Sequence, residues 1–187
     1  MQAEPPLQPT LWRTSRAIAN HIRLQIFRSL VQRPNQTVSA VAADLKQPMS
    51  VASEYLRSLE ARGLLVSHRI GRRVEYRPAI GNRRSVTHGL AAALRSAFRQ
   101  DPAASQTIFR LATAFTHPRR IQIFRALSDK PMTHSGIIAA TGIPYRASQR
   151  HLKKLEARGF VVCRLGEYRV VECSDAVGRE LARMAVQ

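Results

Sequence analysis

The same stretch of sequence occurs twice in this chain. IRLQIFRSL (Ile22–Leu30) returns as RRIQIFRAL (Arg119–Leu127), 97 residues later, and LRSLEARGLLV (Leu56–Val66) returns as LKKLEARGFVV (Leu152–Val162), 96 residues later. Two matches at almost one offset mark an internal repeat. The chain therefore reads as two copies of one unit, roughly residues 11–99 and 103–187, each long enough to bury a small core. Asp101-Pro102 makes a natural seam, so the expected domains are 11–100 and 101–187, preceded by a disordered tail over residues 1–10.

Within the first unit the apolar spacing predicts helices over Leu11–Asn20 and Ile22–Val31, with Ile22, Ile26, Phe27 and Leu30 on one face. Pro34-Asn35 turns the chain, and a short helix follows over Val38–Leu45. Gln47-Pro48 breaks it, and the next helix runs over 48–62 to Gly63, with Val51, Tyr55, Leu56 and Leu59 as its buried stripe. Strands Leu64–Ile70 and Arg73–Arg77 flank Gly71-Arg72, a glycine-first turn, and a helix over Val86–Arg99 closes the unit. The second unit repeats this order. Its helices are expected over Ala103–Thr116, Pro118–Ser128, Thr133–Ala140, 144–158 and Asp175–Val186, and its strands over Phe160–Leu165 and Tyr168–Cys173 around a turn at Gly166-Glu167.

Three helices and a two-stranded hairpin make a winged helix, in which the short helix and its successor form a helix-turn-helix. The expected fold class is therefore mainly α with small β-hairpins (α+β), as tandem winged helix-turn-helix domains. Both units resemble the winged-helix domain of the ArsR/SmtB family of bacterial repressors. Arg23, Ile26 and Leu30 fit the family's first block. Ser53, Leu56, Leu59 and Gly63-Leu64-Leu65 fit its second, with Tyr55 in place of a histidine, and Arg69, Gly71-Arg72 and Tyr76 fit its third. In the second unit Ser148, His151, Leu152, Leu155 and Gly159-Phe160-Val161 fit. The resemblance implies a transcriptional regulator, acting as a repressor, although the family's usual form is a homodimer of single domains.

Charge points to the partner. Thirty Lys+Arg against 12 Asp+Glu leave +18, of which +11 falls in residues 1–100 and +7 in 101–187. A folded chain so cationic suits a polyanion, and arginine suits phosphate and guanine in particular. Double-stranded DNA is the expected partner. In a recognition helix the DNA face is what remains when the core stripe is removed. That leaves Met49, Ser50, Ser53, Glu54 and Arg57 in the first unit, and Tyr145, Arg146, Gln149, Arg150 and Lys153 in the second. The first wing adds Arg69, Arg72 and Arg73, followed by Arg77; the second, expected to be about one residue shorter, has Glu167 at its tip between Arg164 and Arg169. The expectation is a first unit that supplies backbone affinity through its wing and a second that reads bases through its helix.

Other functions find less support. No Gly-rich phosphate loop, nucleophile elbow or carboxylate pair suggests an enzyme. The resemblance raises metal sensing, but the recognition helices carry no paired cysteines, helix 86–99 has only His88 and helix 175–187 no histidine. Cys163 and Cys173 fall out of register across the expected hairpin. No cofactor or metal is expected, and His151 reads as a packing histidine beside the core residue Leu152. No 18-residue apolar run suits a membrane, the first ten residues lack signal-peptide features, and with two cysteines a cytoplasmic, nucleoid-associated location is expected. The alternatives are a non-specific nucleoid or plasmid-replication DNA binder and a tandem winged-helix protein-interaction module. The helices at the ends of the units could pair within one chain as a pseudo-dimer, or between chains as a homodimer.

Overall fold

A computed structural model describes residues 10–80 and 86–187. The expected tail therefore lies, apart from Thr10, outside the described residues. The first half is built from α1 (Leu11–Ile18), α2 (His21–Gln32), β1 (Gln36–Thr37), α3 (Val38–Asp44), α4 (Met49–Glu60), β2 (Leu65–Ile70), β3 (Arg73–Pro78) and α5 (His88–Gln100). The second half has the same order: α6 (Ser105–Ala112), α7 (Pro118–Asp129), β4 (Met132–Thr133), α8 (His134–Thr141), α9 (Tyr145–Ala157), β5 (Val161–Arg164), β6 (Glu167–Val170) and α10 (Ala176–Val186). The described residues thus form an α+β winged-helix fold, with two antiparallel sheets ordered β1-β3-β2 and β4-β6-β5.

Local chemistry explains the elements and recurs between the halves. Thr37 caps α3 by accepting from Ala40 N at 3.2 Å, and Thr133 caps α8 by accepting from Gly136 N at 3.2 Å. Arg23 Nε donates to Ala17 O at 2.6 Å, and its terminal nitrogen donates to Arg16 O at 3.0 Å. Arg120 does the same 97 residues on, to Ala114 O at 2.6 Å and Thr113 O at 3.1 Å. These guanidinium groups satisfy carbonyls freed where the preceding helix ends, each of which would otherwise lack an intrahelical partner. Burial lowers the pKa of both arginines from its ordinary value.

The interior of the second half is centred on three rings. Phe115 meets Phe160 edge-on at 4.7 Å between centroids and Phe124 at 5.2 Å. At the corresponding places of the first half stand Ile18, Phe27 and Leu64, all buried, and Phe27 pairs instead with Phe98 at 6.1 Å.

Several of the sequence expectations need correction. Each sheet has a third strand, β1 or β4, of only two residues, too short for any period-2 pattern to show. Ala52 rather than Val51 fills the α4 stripe, because helical pitch sets Ala52, Leu56 and Leu59 on one line, while Val51 stays half-buried. Helix α6 stops at Ala112, although Phe115 beyond it is buried. The second wing turns at Leu165-Gly166 rather than Gly166-Glu167, with φ values of +52° and +79°, so Arg164 pairs with Glu167. Two positive φ angles define the type I′ hairpin turn.

This turn also makes the second wing four residues shorter than the first rather than one. Val161 follows Leu65 by 96 residues, but Glu167, paired with Thr133, follows Glu75, paired with Thr37, by only 92. The six tip residues 69–74 of the first wing are matched by only Leu165-Gly166, so Arg69, Arg72 and Arg73 have no arginine counterparts in the second.

The apolar faces at the ends of each half bury one another. Helix α5 packs on α10, and α1 on α6 and α10. His21 lies flat on Phe109, 4.2 Å apart and 12° from parallel. Gly89 faces the Glu180 side chain of α10: a Cβ there would stand 2.1 Å from Oε2, so the carboxylate, which Arg183 holds at 2.9 Å, would have to swing aside. Arg183 also donates to Val86 O at 3.2 Å. Leu90, Leu94, Ile108, Leu111, Val177 and Leu181 are all buried in this layer.

Truncating Phe115 to alanine removes the ring that both other phenylalanines touch. The expected cost is about 3–5 kcal/mol, read from the urea-unfolding midpoint; a cost below about 1 kcal/mol would mean that the ring cluster does not hold the second half together.

Candidate nucleic-acid interface

Each helix-turn-helix places one helix against the core and leaves a polar stripe outward. In the second half Gly142, at φ +66°, ends α8, and Ile143 tucks its side chain inside before α9 begins. Ser148, His151, Leu152 and Leu155 form the buried face of α9. Tyr145, Arg146, Arg150 and Lys153 are exposed and Gln149 half-buried, so the five residues singled out from the sequence share one open face. No described residue pairs with Arg146, Arg150 or Lys153. Among the described residues there are only two ion pairs, Arg33–Asp44 and Arg183–Glu180, both away from this face.

The second wing adds exposed Arg164 and Arg169. Glu167, expected at its tip, lies instead in β6 opposite Arg164, and the tip is a fully exposed Leu165.

In the first half, α4 exposes Met49, Ser50, Glu54 and Arg57, with Ser53 half-buried. Arg57 Nε reaches back to Ser53 O at 3.3 Å. Arg69, Arg72, Arg73 and Arg77 are all exposed on the longer wing, where Arg69 Nε donates to Gly71 O at 3.2 Å. Gly71 sits at φ +59°, which the glycine-first turn requires.

Two features of the second half went unnoticed in the sequence. His134, the first residue of α8, stacks on Tyr145 at 4.5 Å, and its Nε2 meets buried Ser148 Oγ at 2.7 Å. Since the Ser148 hydroxyl donates to Tyr145 O at 2.9 Å, it accepts from His134. This small network fixes the ring that opens α9. The signal available was a histidine directly after the capping Thr133.

His151 is buried at 5% exposure, as a packing histidine should be, with the His117 ring 4.7 Å away. Burial pushes its imidazole down to about 4, aided by His117 and by Arg120, Arg150 and Arg119. His117 Nδ1 accepts from Arg119 N at 3.1 Å, as a neutral ring does, and burial and the nearby arginines lower it as well. Cys163 is exposed and Cys173 half-buried, both as free thiols. Among the described residues no group of three or more His, Cys, Asp or Glu is placed to hold a metal ion. No described helix is long and apolar enough to cross a membrane.

Compared with known families, residues 115–164 match a helix-turn-helix domain. The matched stretch begins at Phe115, spans α7, α8 and α9, and ends on the first strand of the second wing. No protein of curated function matches the chain. A helix-turn-helix domain is a DNA-binding module, so the cationic face of α9 lies within the matched stretch.

The titration of His151 gives a test of its burial. An imidazole near pKa 4 in the folded state and near 6.5 unfolded binds its proton more readily when unfolded. Stability is therefore full above pH 6.5 and falls as pH drops toward 4. Between pH 7 and pH 5 the loss from this group should be about 2 kcal/mol. His151→Tyr, which installs the residue found at the same point of α4, should remove that part of the loss in paired urea titrations at the two pH values. An unchanged loss would show that His151 is not the group responsible.

Proposed function

We propose that the protein is a sequence-specific, double-stranded-DNA-binding transcriptional regulator of the ArsR/SmtB kind, acting as a repressor. The observation that carries this reading is the open face of α9, where Arg146, Arg150 and Lys153 stand without acidic partners on a helix of helix-turn-helix geometry. Arg146 and Arg150 suit the bidentate acceptor edge of guanine, and Gln149 suits adenine. The wings supply the rest. Arg69, Arg72 and Arg73 meet phosphates in the first half, Arg164 and Arg169 in the second, and Ser50, Ser53 and Arg57 line the α4 contact.

In this reading residues 11–100 and 101–187 are two copies of one unit, joined as a covalent pseudo-dimer. The packing of α5 on α10 and of α1 on α6 supports it, because those apolar faces find partners within one chain. The recognition helices would then meet successive major-groove faces about 34 Å apart. Because the helices differ, the site is an imperfect palindrome. The protein catalyses no reaction, needs no cofactor and acts on cytoplasmic, nucleoid DNA.

Salt titration separates the two kinds of contact. Arg72→Ala with Arg73→Ala should weaken binding on every sequence and flatten the slope of log K against log salt by about 1–2. Arg150→Ala should cost about 1–3 kcal/mol on the preferred site and relax its sequence. A native protein with no preference over random duplex would reduce the assignment to non-specific binding. In light scattering at low concentration the mass should be near 21.0 kDa; twice that value would favour a homodimer with four reading heads.

A further inference from the structure

The two reading heads differ most where each recognition helix begins. In the second half His134 and Tyr145 stack and close the space between α8 and α9. The residues 96 positions earlier are Val38 and Met49. They cannot form that stack, and an open groove of about 560 Å³ remains, lined by Thr37, Val38, Ser39, Met49, Arg73 and Val74. Its walls are mainly apolar. Met49 is 59% exposed and Val74 37%, with Ile70 at 54% beyond them on the same wing. Val74 comes from the part of the first wing that the second wing lacks. So an apolar groove has opened at the first turn of α4, with cations on its wing side: Arg73 in its wall, Arg69 opposite Val74, and Arg72 at the wing's turn.

An exposed apolar groove needs a partner that is apolar at its centre and anionic at its edges. Duplex DNA offers this at thymine, whose 5-methyl group projects into the major groove between two phosphate-lined strands. We propose that Val38, Met49 and Val74 form a thymine-methyl site, so that the first half selects a T-rich half-site by apolar contact. The second half, with His134 on Tyr145 and arginines beyond, selects guanine. This rests on the reading of the chain as a DNA-binding regulator and names what its first head recognises. It also explains why α4 presents a methionine and serines where α9 presents a tyrosine and arginines.

The test replaces thymine with uracil in a duplex selected by the native protein, one half-site at a time. Uracil keeps every hydrogen-bonding group and loses only the methyl. Each contacted methyl removed should weaken binding about fourfold, and only in the half-site that Arg150→Ala leaves unaffected. A second variant, Val38→His with Met49→Tyr, imports the pair that already packs in the other half. It should still bind the duplex but lose its sensitivity to uracil. Equal affinity for the thymine and uracil duplexes, or a variant as sensitive as the native protein, would overturn the thymine site while leaving DNA binding intact. Failure to bind either duplex in dilute salt would overturn the DNA-binding reading itself.

Discussion

The structure depends on the shared burial of four helices, two from each half. Helices α1, α5, α6 and α10 each carry an apolar face, and each loses its water partly against another member of the set and partly against α2 or α7. Free energy from apolar burial is roughly proportional to area and has no preferred direction, so the geometry has to come from elsewhere. Here it comes from a few directional groups. Arg23 and Arg120 tie each first helix to its second. Arg183 of α10 donates to Val86 O ahead of α5, and His21 lies flat on Phe109. With this layer in place, both helix-turn-helix pairs and both wings are carried on one framework.

On that framework the two halves diverge in chemistry far more than in form. The capping threonines and the arginine clamps are the same in both. The exposed faces are not. One half has a long wing with exposed arginines and an apolar groove at the start of α4; the other has a short wing and a cationic α9 whose first residue, Tyr145, packs on His134. A repeat that held both heads to one chemistry would suit a perfect palindrome. Divergence at these exposed faces suits an asymmetric target, which a single chain with two unlike heads can match in one orientation only.

Much of the fold was legible because the repeat could be read twice. The two offsets placed every helix of the second half once the first had been assigned, and Gly63, Gly142 and Gly159 marked helix ends that the structure keeps. What the sequence concealed was short or depended on contacts between distant elements. Two-residue strands carry no periodicity. Leu165 at φ +52° sits where a type I′ turn favours asparagine or glycine, so the visible Gly166 drew the expected turn one residue too far along. The four-residue difference in wing length followed from that misplacement. At the candidate interface eight of the ten residues left by subtracting the core stripe are exposed and Ser53 and Gln149 are half-buried, because helical pitch decides which side of α4 and α9 faces out. The His134–Tyr145 stack and the Val38–Met49 groove join residues eleven apart on different helices, and only the packing of those helices reveals them.

The central claim is that one chain reads two unlike half-sites on a single duplex. It is tested most directly by selecting ligands from a pool of random duplexes and footprinting the winner at known stoichiometry. The account predicts an enriched site of two dissimilar halves, one helical turn apart, both protected by a single chain. A pool that shows no enrichment, or a footprint covering one half-site per chain, would contradict it.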